Sequence, residues 1–153
     1  MKVLTECPSY GSDTPAVDEF SLPYGIVGFP DYTRAELLRD HDGHPFMRMR
    51  LRNGAEFINF VVMEPGGLIP GYEPEIFDND AASLGVADGS EAMVLTILTM
   101  RPGTPEEATV NLIGPIVINR RTRVGRQLVI ANYSQYRARH PLISPSRAAV
   151  GPS

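Results

Sequence analysis

The 153 residues predict an all-β domain, mainly antiparallel: a small barrel or half-open barrel of about six to eight short strands with one short helix. Three observations predict it. Glycine and proline, 14 of each, are spread along the chain and form no repeat, which suits many short strands joined by turns. Met47, Met49 and Leu51 alternate with Arg48, Arg50 and Arg52, a period of two that puts the apolar set on one face. One segment alone, Asp78 to Leu84, has the character of a helix, and nothing marks a second domain.

Residues 1–17 contain Pro, Ser and Thr without period and are expected to be a flexible N-terminal tail; residues 18–142 are the single domain, and 143–153 a flexible C-terminal tail, with fraying from Pro141 onward. Asp18 to Leu22 alternates Phe20 and Leu22 with polar neighbours, a short strand. Pro23 to Pro30 is a turn with apolar anchors. Tyr32 to Leu38 fits helix or strand on propensity alone, and Asp40 to Pro45 is a polar turn. Phe46 to Arg52 is the strand of the alternation. Asn53-Gly54 then gives the strongest short hairpin signal. Phe57 to Met63 is the return strand, and its run Phe60-Val61-Val62-Met63 predicts burial on both faces or a barrel wall.

Pro65 to Gly71 is a loop. Asp78 or Asn79 stands where a helix N-cap is expected. Glu91 to Met100, rich in Val, Leu, Ile and Thr, is a strong strand, and Pro102 to Pro105 turns the chain. Ala108–Ile113, Ile116–Arg120 and Arg126–Asn132 follow as strands, with Gly125 closing the turn between the last two.

Composition narrows the function classes. Hydrophobic residues at 42% and charged residues at 21% describe a globular chain and exclude a disordered one. A net charge of -4 argues against nucleic acid as the partner of the whole surface. Between Arg52 and Arg101 there is no Lys or Arg, while Glu56, Glu64, Glu73, Glu75, Asp78, Asp80, Asp88 and Glu91 all fall there. That stretch is either a solvated surface or an acidic face that attracts a basic partner. Arg120, Arg121, Arg123, Arg126, Arg137 and Arg139 reverse the balance further on.

Reactive chemistry is hard to assemble. Cys7 is the single cysteine, so no disulfide forms within the chain and a reducing compartment suits it. His41 and His44 form an HxxH with acidic neighbours, but His140 is the one other histidine, and a metal needs three or four converging ligands. The pairs Glu73/Glu75 and Asp78/Asp80 lie in polar segments with no cause for a shifted pKa. No nucleophile elbow, P-loop or dinucleotide fingerprint is present. Asn132-Tyr133-Ser134 matches a glycosylation sequon by chance, since no apolar run follows Lys2 as a signal peptide requires. No apolar stretch approaches membrane-spanning length.

Several segments, read in order, carry a resemblance. Phe20 to Pro30 reads FSLPYGIVGFP; Pro45-Phe46 precedes a strand; Phe57 to Pro65 reads FINFVVMEP; Tyr72 to Ile76 reads YEPEI. Thr109 to Asn119 reads TVNLIGPIVIN, the most specific block. Gly125 to Ile130 reads GRQLVI, and Tyr133 to Leu142 closes with YSQYRARHPL. These resemble the ordered signatures of the flagellar assembly factor (FliW) family over about residues 18–142. Two departures stand out: the strand after Pro45-Phe46 carries three arginines where the family has an LQS-like end, and Gly114 replaces the usual Ala.

The resemblance implies a cytoplasmic protein that is not an enzyme, needs no cofactor or metal, meets neither membrane nor nucleic acid directly, and is a monomer when free. It implies two protein partners: CsrA, a small RNA-binding dimer that represses flagellin translation, and flagellin before export. CsrA would be sequestered until abundant flagellin displaces it. Candidate protein-binding residues are Glu73, Glu75, Asp78 and Asp80 of the acidic stretch, with Asn111, Asn119, Gln127 and Tyr133 of the matched blocks. The same blocks have scaffold duties: Leu112, Ile116 and Ile118 suit a core, Pro115 an edge or bulge, and Asn111 and Asn119 can close turns on their own backbone. Two further readings are an RNA-binding module using the basic turn 120–126, and a small hydrolase.

Overall fold

Alternation in sequence becomes alternation in burial. Along β3 (Phe46–Asn53), Met47, Met49 and Leu51 are buried while Arg48 is exposed and Arg50 and Arg52 are half-buried. The computed structural model describes residues 1–3, 18–39, 46–66, 68–101 and 104–142. In chain order the elements are β1 (Glu19–Ser21), β2 (Arg34–Arg39), β3, β4 (Glu56–Met63), α1 (Asp78–Leu84), β5 (Ala92–Arg101), β6 (Thr104–Val110), β7 (Ile116–Asn119), β8 (Gly125–Gln127) and β9 (His140–Pro141). Every paired strand is antiparallel. The all-β half-barrel with one α-helix is therefore what the chain forms. The described residues hold nine strands, the one beyond expectation being the two-residue β9.

The sheet runs β1-β2-β3-β4-β5, and β5 then carries two partners in succession. Moving along β5 from Leu98 to Leu95, three residues, the partner moves from Val110 to Ile116, six residues. β6 and β7 thus read as one strand along β5 with three extra residues looped out between them. β8 pairs with β7, and the turn before it returns to the first strand: the Ser21 N–H donates to the Arg123 carbonyl at 2.9 Å, beside a parallel Ser21–Val124 bridge. The sheet curls into a half-barrel, and this contact brings the β7–β8 turn against β1.

Three apolar clusters follow from the curl. Phe20, Leu22, Leu37, Met49, Leu51 and Val62 meet Leu95, Ile116 and Ile118 inside the half-barrel. Burial of each large side chain contributes about 1.5–3 kcal/mol. A second cluster lies under α1, where Ile76, Ala81 and Leu84 pack on Val94, Val117 and Leu128. A third joins Met63, Ile69, Tyr72 and Leu98 to Val110, Leu112 and Ile130. The strongly apolar end of β4 is explained by these: Val62 faces the first cluster and Met63 the third, so both faces are buried there, whereas Phe57 at its start is exposed.

Local expectations resolve unevenly. The segment from Tyr32 to Leu38 resolves as strand from Arg34 on, running to Arg39, because Ala35 and Leu37 alternate into the core while Arg34 faces out. The β3–β4 loop is Gly54-Ala55, one residue later than the Asn-Gly pair, since Asn53 still pairs with Glu56; Gly54 has φ 61, at the position a type II′ turn gives to glycine. Helix α1 spans Asp78–Leu84 as expected, yet neither Asp78 nor Asn79 caps it. The N-cap is Phe77, with no side-chain bond, and Asp78 and Asp80 instead place negative charge in the first turn. Gly25 has φ 61, and a Cβ there would stand 2.1 Å from the Phe29 carbonyl, so the turn from Pro23 to Pro30 admits only glycine at that place.

Pro141 does not fray. It belongs to β9 and pairs with Thr109. At the other end, the Met1 amine donates to the Ile76 carbonyl at 2.8 Å, the Val3 N–H to Pro74 at 3.2 Å, and Val3 is buried under α1. Residues 4–17, the Asp40–Pro45 turn with His41 and His44, and 143–153 lie outside the described residues, as does Cys7.

Candidate functional site: the strap from Asn111 to Tyr136

After β6 the chain stops pairing regularly, and side-chain amides take over the backbone's hydrogen bonds. Asn111 Oδ1 accepts the N–H groups of Ile113 and Gly114, both at 3.0 Å, which closes the looped-out residues between β6 and β7. Pro115, lacking an N–H, sits in that interruption. Asn119, fully buried at the end of β7, accepts the N–H groups of Arg121 and Thr122 and donates to the carbonyls of Leu84 and Gly85 at the end of α1. Gln127 accepts the Val27 N–H at 2.8 Å and donates to the Gly114 carbonyl at 3.0 Å. Asn111 and Asn119 close turns as expected, and both amides and Gln127 are committed to backbone partners.

Two clamps were not read from the sequence. Asn132 accepts the Glu75 N–H and donates to the Glu73 carbonyl, both at 2.9 Å, imitating a strand partner for residues 73–75. Tyr136 accepts the Glu73 N–H and donates to the Gly71 carbonyl, and its ring meets Tyr72 edge to face at 4.9 Å. The signal for Asn132 was present but was absorbed by the sequon. Tyr72 is buried and donates to the Leu112 carbonyl at 2.7 Å. Burial pushes its hydroxyl well above the usual tyrosine range, with Tyr136 adding to the effect.

The strap and the turns laced to it carry a row of exposed apolar side chains: Tyr24 at 68%, Val27 at 83%, Phe77 at 51%, Val129 at 58% and Tyr133 at 53%. Tyr24 lies under the Arg126 guanidinium at 5.0 Å, and Val27 is bonded to Gln127. Val129 points outward between the buried Leu128 and Ile130, which are held by the carbonyls of Pro115 and Ile113. Phe77 follows Glu75, whose carbonyl accepts the Ala131 N–H. Local rigidity comes from the polar clamps, and the apolar groups face solvent.

Acidic residues divide by use. Glu73 is exposed and 3.7 Å from Lys2; Asp78 is almost fully exposed and 3.9 Å from the N-terminal amine. Surface pairs of this kind contribute little. Glu75 is half-buried between Lys2 and the strap. Asp80 is also half-buried, 3.9 Å from Arg126. Asp88 and Glu91 form a capping box, and the Ser90 N–H and hydroxyl hold the Asp88 carboxyl below its usual range. Glu56 stands apart on the β3–β4 hairpin, where it accepts a bond from Tyr32; desolvation and that carboxylate push the Tyr32 hydroxyl up. The sequence run from Glu56 to Glu91 is therefore several local uses, with Glu73 and Asp78 its freest carboxylates.

The turn Arg120–Arg126 is shaped from within: Arg123 adopts φ 59, and Arg126 is engaged by Asp80 and Tyr24. A shallow cleft of about 340 Å³ lies beside the strap, floored by Ile69, Leu112 and Tyr136 and rimmed by Gln135, Arg137 and His140. Among the described residues no three His, Cys, Asp or Glu converge as metal ligands, and no helix is long and apolar enough to cross a membrane.

Comparison with known proteins places this geometry. The sequence profile of the FliW protein family matches residues 11–142. The chain is 33% identical over 124 residues to the flagellar assembly factor FliW of Natranaerobius thermophilus, covering 81% of each, and 32% identical over 131 residues to that of Desulfitobacterium hafniense, covering 86% of this chain and 84% of the relative. A crystal structure of the flagellar assembly factor FliW superposes with a TM-score of 0.72 at 28% identity, over 85% of this chain and 89% of that one.

Proposed function

The chain belongs to the FliW family of flagellar assembly factors, and from that premise we propose that it works in the cytoplasm as a non-enzymatic partner switch: it holds CsrA away from flagellin messenger RNA and yields it to flagellin. The observation that carries this reading is a hydrogen-bonded strap with exposed apolar side chains beside exposed, loosely paired carboxylates. The terminal helices of flagellin before assembly are amphipathic, and an amphipathic helix docks its apolar face on such a surface. Val27, Val129 and Phe77 are the groups offered to it.

CsrA presents the opposite chemistry. Proteins that bind RNA carry basic surfaces, because phosphates dominate their affinity. Glu73 and Asp78, exposed and only loosely paired, suit a basic partner and repel RNA beside it. Glu75 and Asp80 contribute less, being enclosed. Asn111, Asn119 and Gln127 act by holding the strap, and Tyr133 by contact.

The experiment is a titration of the purified protein against CsrA and flagellin from the same organism, with a flagellin leader RNA as competitor. The reading expects binding of CsrA, displacement of RNA, and release by flagellin. Glu73→Lys with Asp78→Lys should weaken CsrA binding and flatten its salt dependence, leaving flagellin unaffected. Binding of flagellin alone would reduce the protein to an export chaperone, and silence toward both would end the proposal.

A further inference from the structure

The outer face of β2, β3 and β4 has no part in the reading above. Register sets Arg52 between Arg34 and Phe57, Arg50 between Glu36 and Asn59, and Arg48 between Leu38 and Val61. These side chains share the face opposite Met47, Met49 and Leu51. Among the described residues, Arg34, Arg48, Arg50 and Arg52 therefore share this face with Glu36, which is taken by Arg52, and with Glu19, which stands opposite Glu36 on the neighbouring β1. Residues two apart on a strand are about 7 Å apart, so Arg48, Arg50 and Arg52 form an evenly spaced positive row.

The row is held in place. Phe57, half exposed, carries the Arg50 guanidinium at 4.8 Å and the Arg52 guanidinium at 5.8 Å. Arg50 also donates to Asn59 at 3.3 Å, and Arg34 to Ser21 at 3.0 Å. Half-buried arginines, Arg50 and Arg52, ordered around an aromatic ring with the exposed Arg48 beside them, are the composition of a protein-interface hot spot.

We propose that this face is a separate docking surface for an acidic segment of another protein, one with carboxylates recurring at about the 7 Å spacing of the arginines and an apolar side chain to cover Phe57. Charge complementarity selects the sign of the partner. A protein segment fits better than a nucleic acid for two reasons. The chain carries a net charge of -4, which repels a long polyanion but not a short local one. The ring of Phe57 is stacked by guanidiniums and so is a poor platform for bases.

The test uses the full chain and a fluorescein-labelled twelve-residue peptide of alternating Glu and Val, read by anisotropy. The expected result is binding that weakens steeply with salt, is lost in Arg48→Glu/Arg50→Glu, and falls about tenfold in Phe57→Ala. Arg50→Lys keeps the charge but loses the planar stack, and should lie between. A peptide with Lys in place of Glu should not bind. The same variants should titrate normally against CsrA and flagellin, so this proposal and the partner-switch reading fail separately. Peptide binding indifferent to the arginines, no peptide binding, tighter binding of a labelled oligouridylate of matched charge, or Arg50-dependent self-association in sedimentation would each overturn it.

Discussion

The interior of the half-barrel and the strap from Asn111 to Tyr136 lie on the same strands yet are held by different forces. Inside, Phe20, Met49, Leu51, Leu95 and Ile116 pack without polar atoms between them, and the regular ladders satisfy the backbone. In the strap, ladders are short or absent, and Asn111, Asn119, Gln127, Asn132 and Tyr136 supply the missing hydrogen bonds one by one. The interior is insensitive to which apolar side chain fills it, within volume limits. The strap depends on particular amides with particular reach. This gives a conspicuous sequence signature such as TVNLIGPIVIN a duty in the scaffold: its polar members build the irregular backbone from which Val129 and its neighbours face outward.

Deletions of side chains in each region measure the difference. Met49→Ala in the interior should cost about 2–5 kcal/mol in urea unfolding, the largest effect expected. It should lower affinity for the proposed partners only through the loss of folded protein. Asn119→Ala should cost about 2–3 kcal/mol, because it orphans four backbone groups around a buried position. It should also loosen the C-terminal end of α1, visible as faster amide exchange there. An Asn119→Ala cost above that of Met49→Ala would reverse the ranking of the two regions.

Tyr72→Phe sharpens the comparison at the point where the regions touch. It leaves the Leu112 carbonyl without its donor and should cost about 1–2 kcal/mol at neutral pH. The folded hydroxyl titrates above its ordinary value of 10.0, so folding favours the protonated form. That contribution is whole below pH 10 and is lost as pH climbs through the folded value. The wild type should therefore lose stability faster than Tyr72→Phe above pH 10, and parallel curves would remove Tyr72 as a polar anchor. Smallest for stability is Val27→Ser, expected within about 0.5 kcal/mol of wild type because the side chain is already in water. Under the proposed function it should nonetheless weaken flagellin binding, and unchanged affinity would take Val27 out of the proposed docking surface.

The barrel was legible because it rests on periodicity. Met47, Met49 and Leu51 announce their own burial, and Glu91 to Met100 announces a strand, since a ladder needs only a period of two. Helix α1 was legible in extent from its composition, but its cap was not, because Phe77 caps it through backbone geometry alone. Tyr32 to Leu38 stayed ambiguous until β3 paired with it, and propensity yields to a neighbour that supplies hydrogen bonds. The candidate site was legible as residue types and not as roles. Asn111, Asn119 and Gln127 were marked in advance, but nothing local tells an amide that bonds a partner from one that bonds Gly114 or Leu84. The acidic run read as either a solvated surface or one acidic face, and folding dealt Glu56, Asp80 and Glu91 to three different tasks.

By itself the sequence determined the class of fold, the turn of the β3–β4 hairpin to within one residue, the place of the helix, and the family. All of these depend on patterns of neighbours along the chain. Tertiary structure alone decided that β6 and β7 share one edge of β5, that Ser21 meets Val124 and brings the β7–β8 turn against β1, and which charged side chains stay free. Those outcomes depend on contacts between residues as far apart as 103 positions, which no local period encodes, because whether a carboxylate or an amide faces solvent is set by what folds against it.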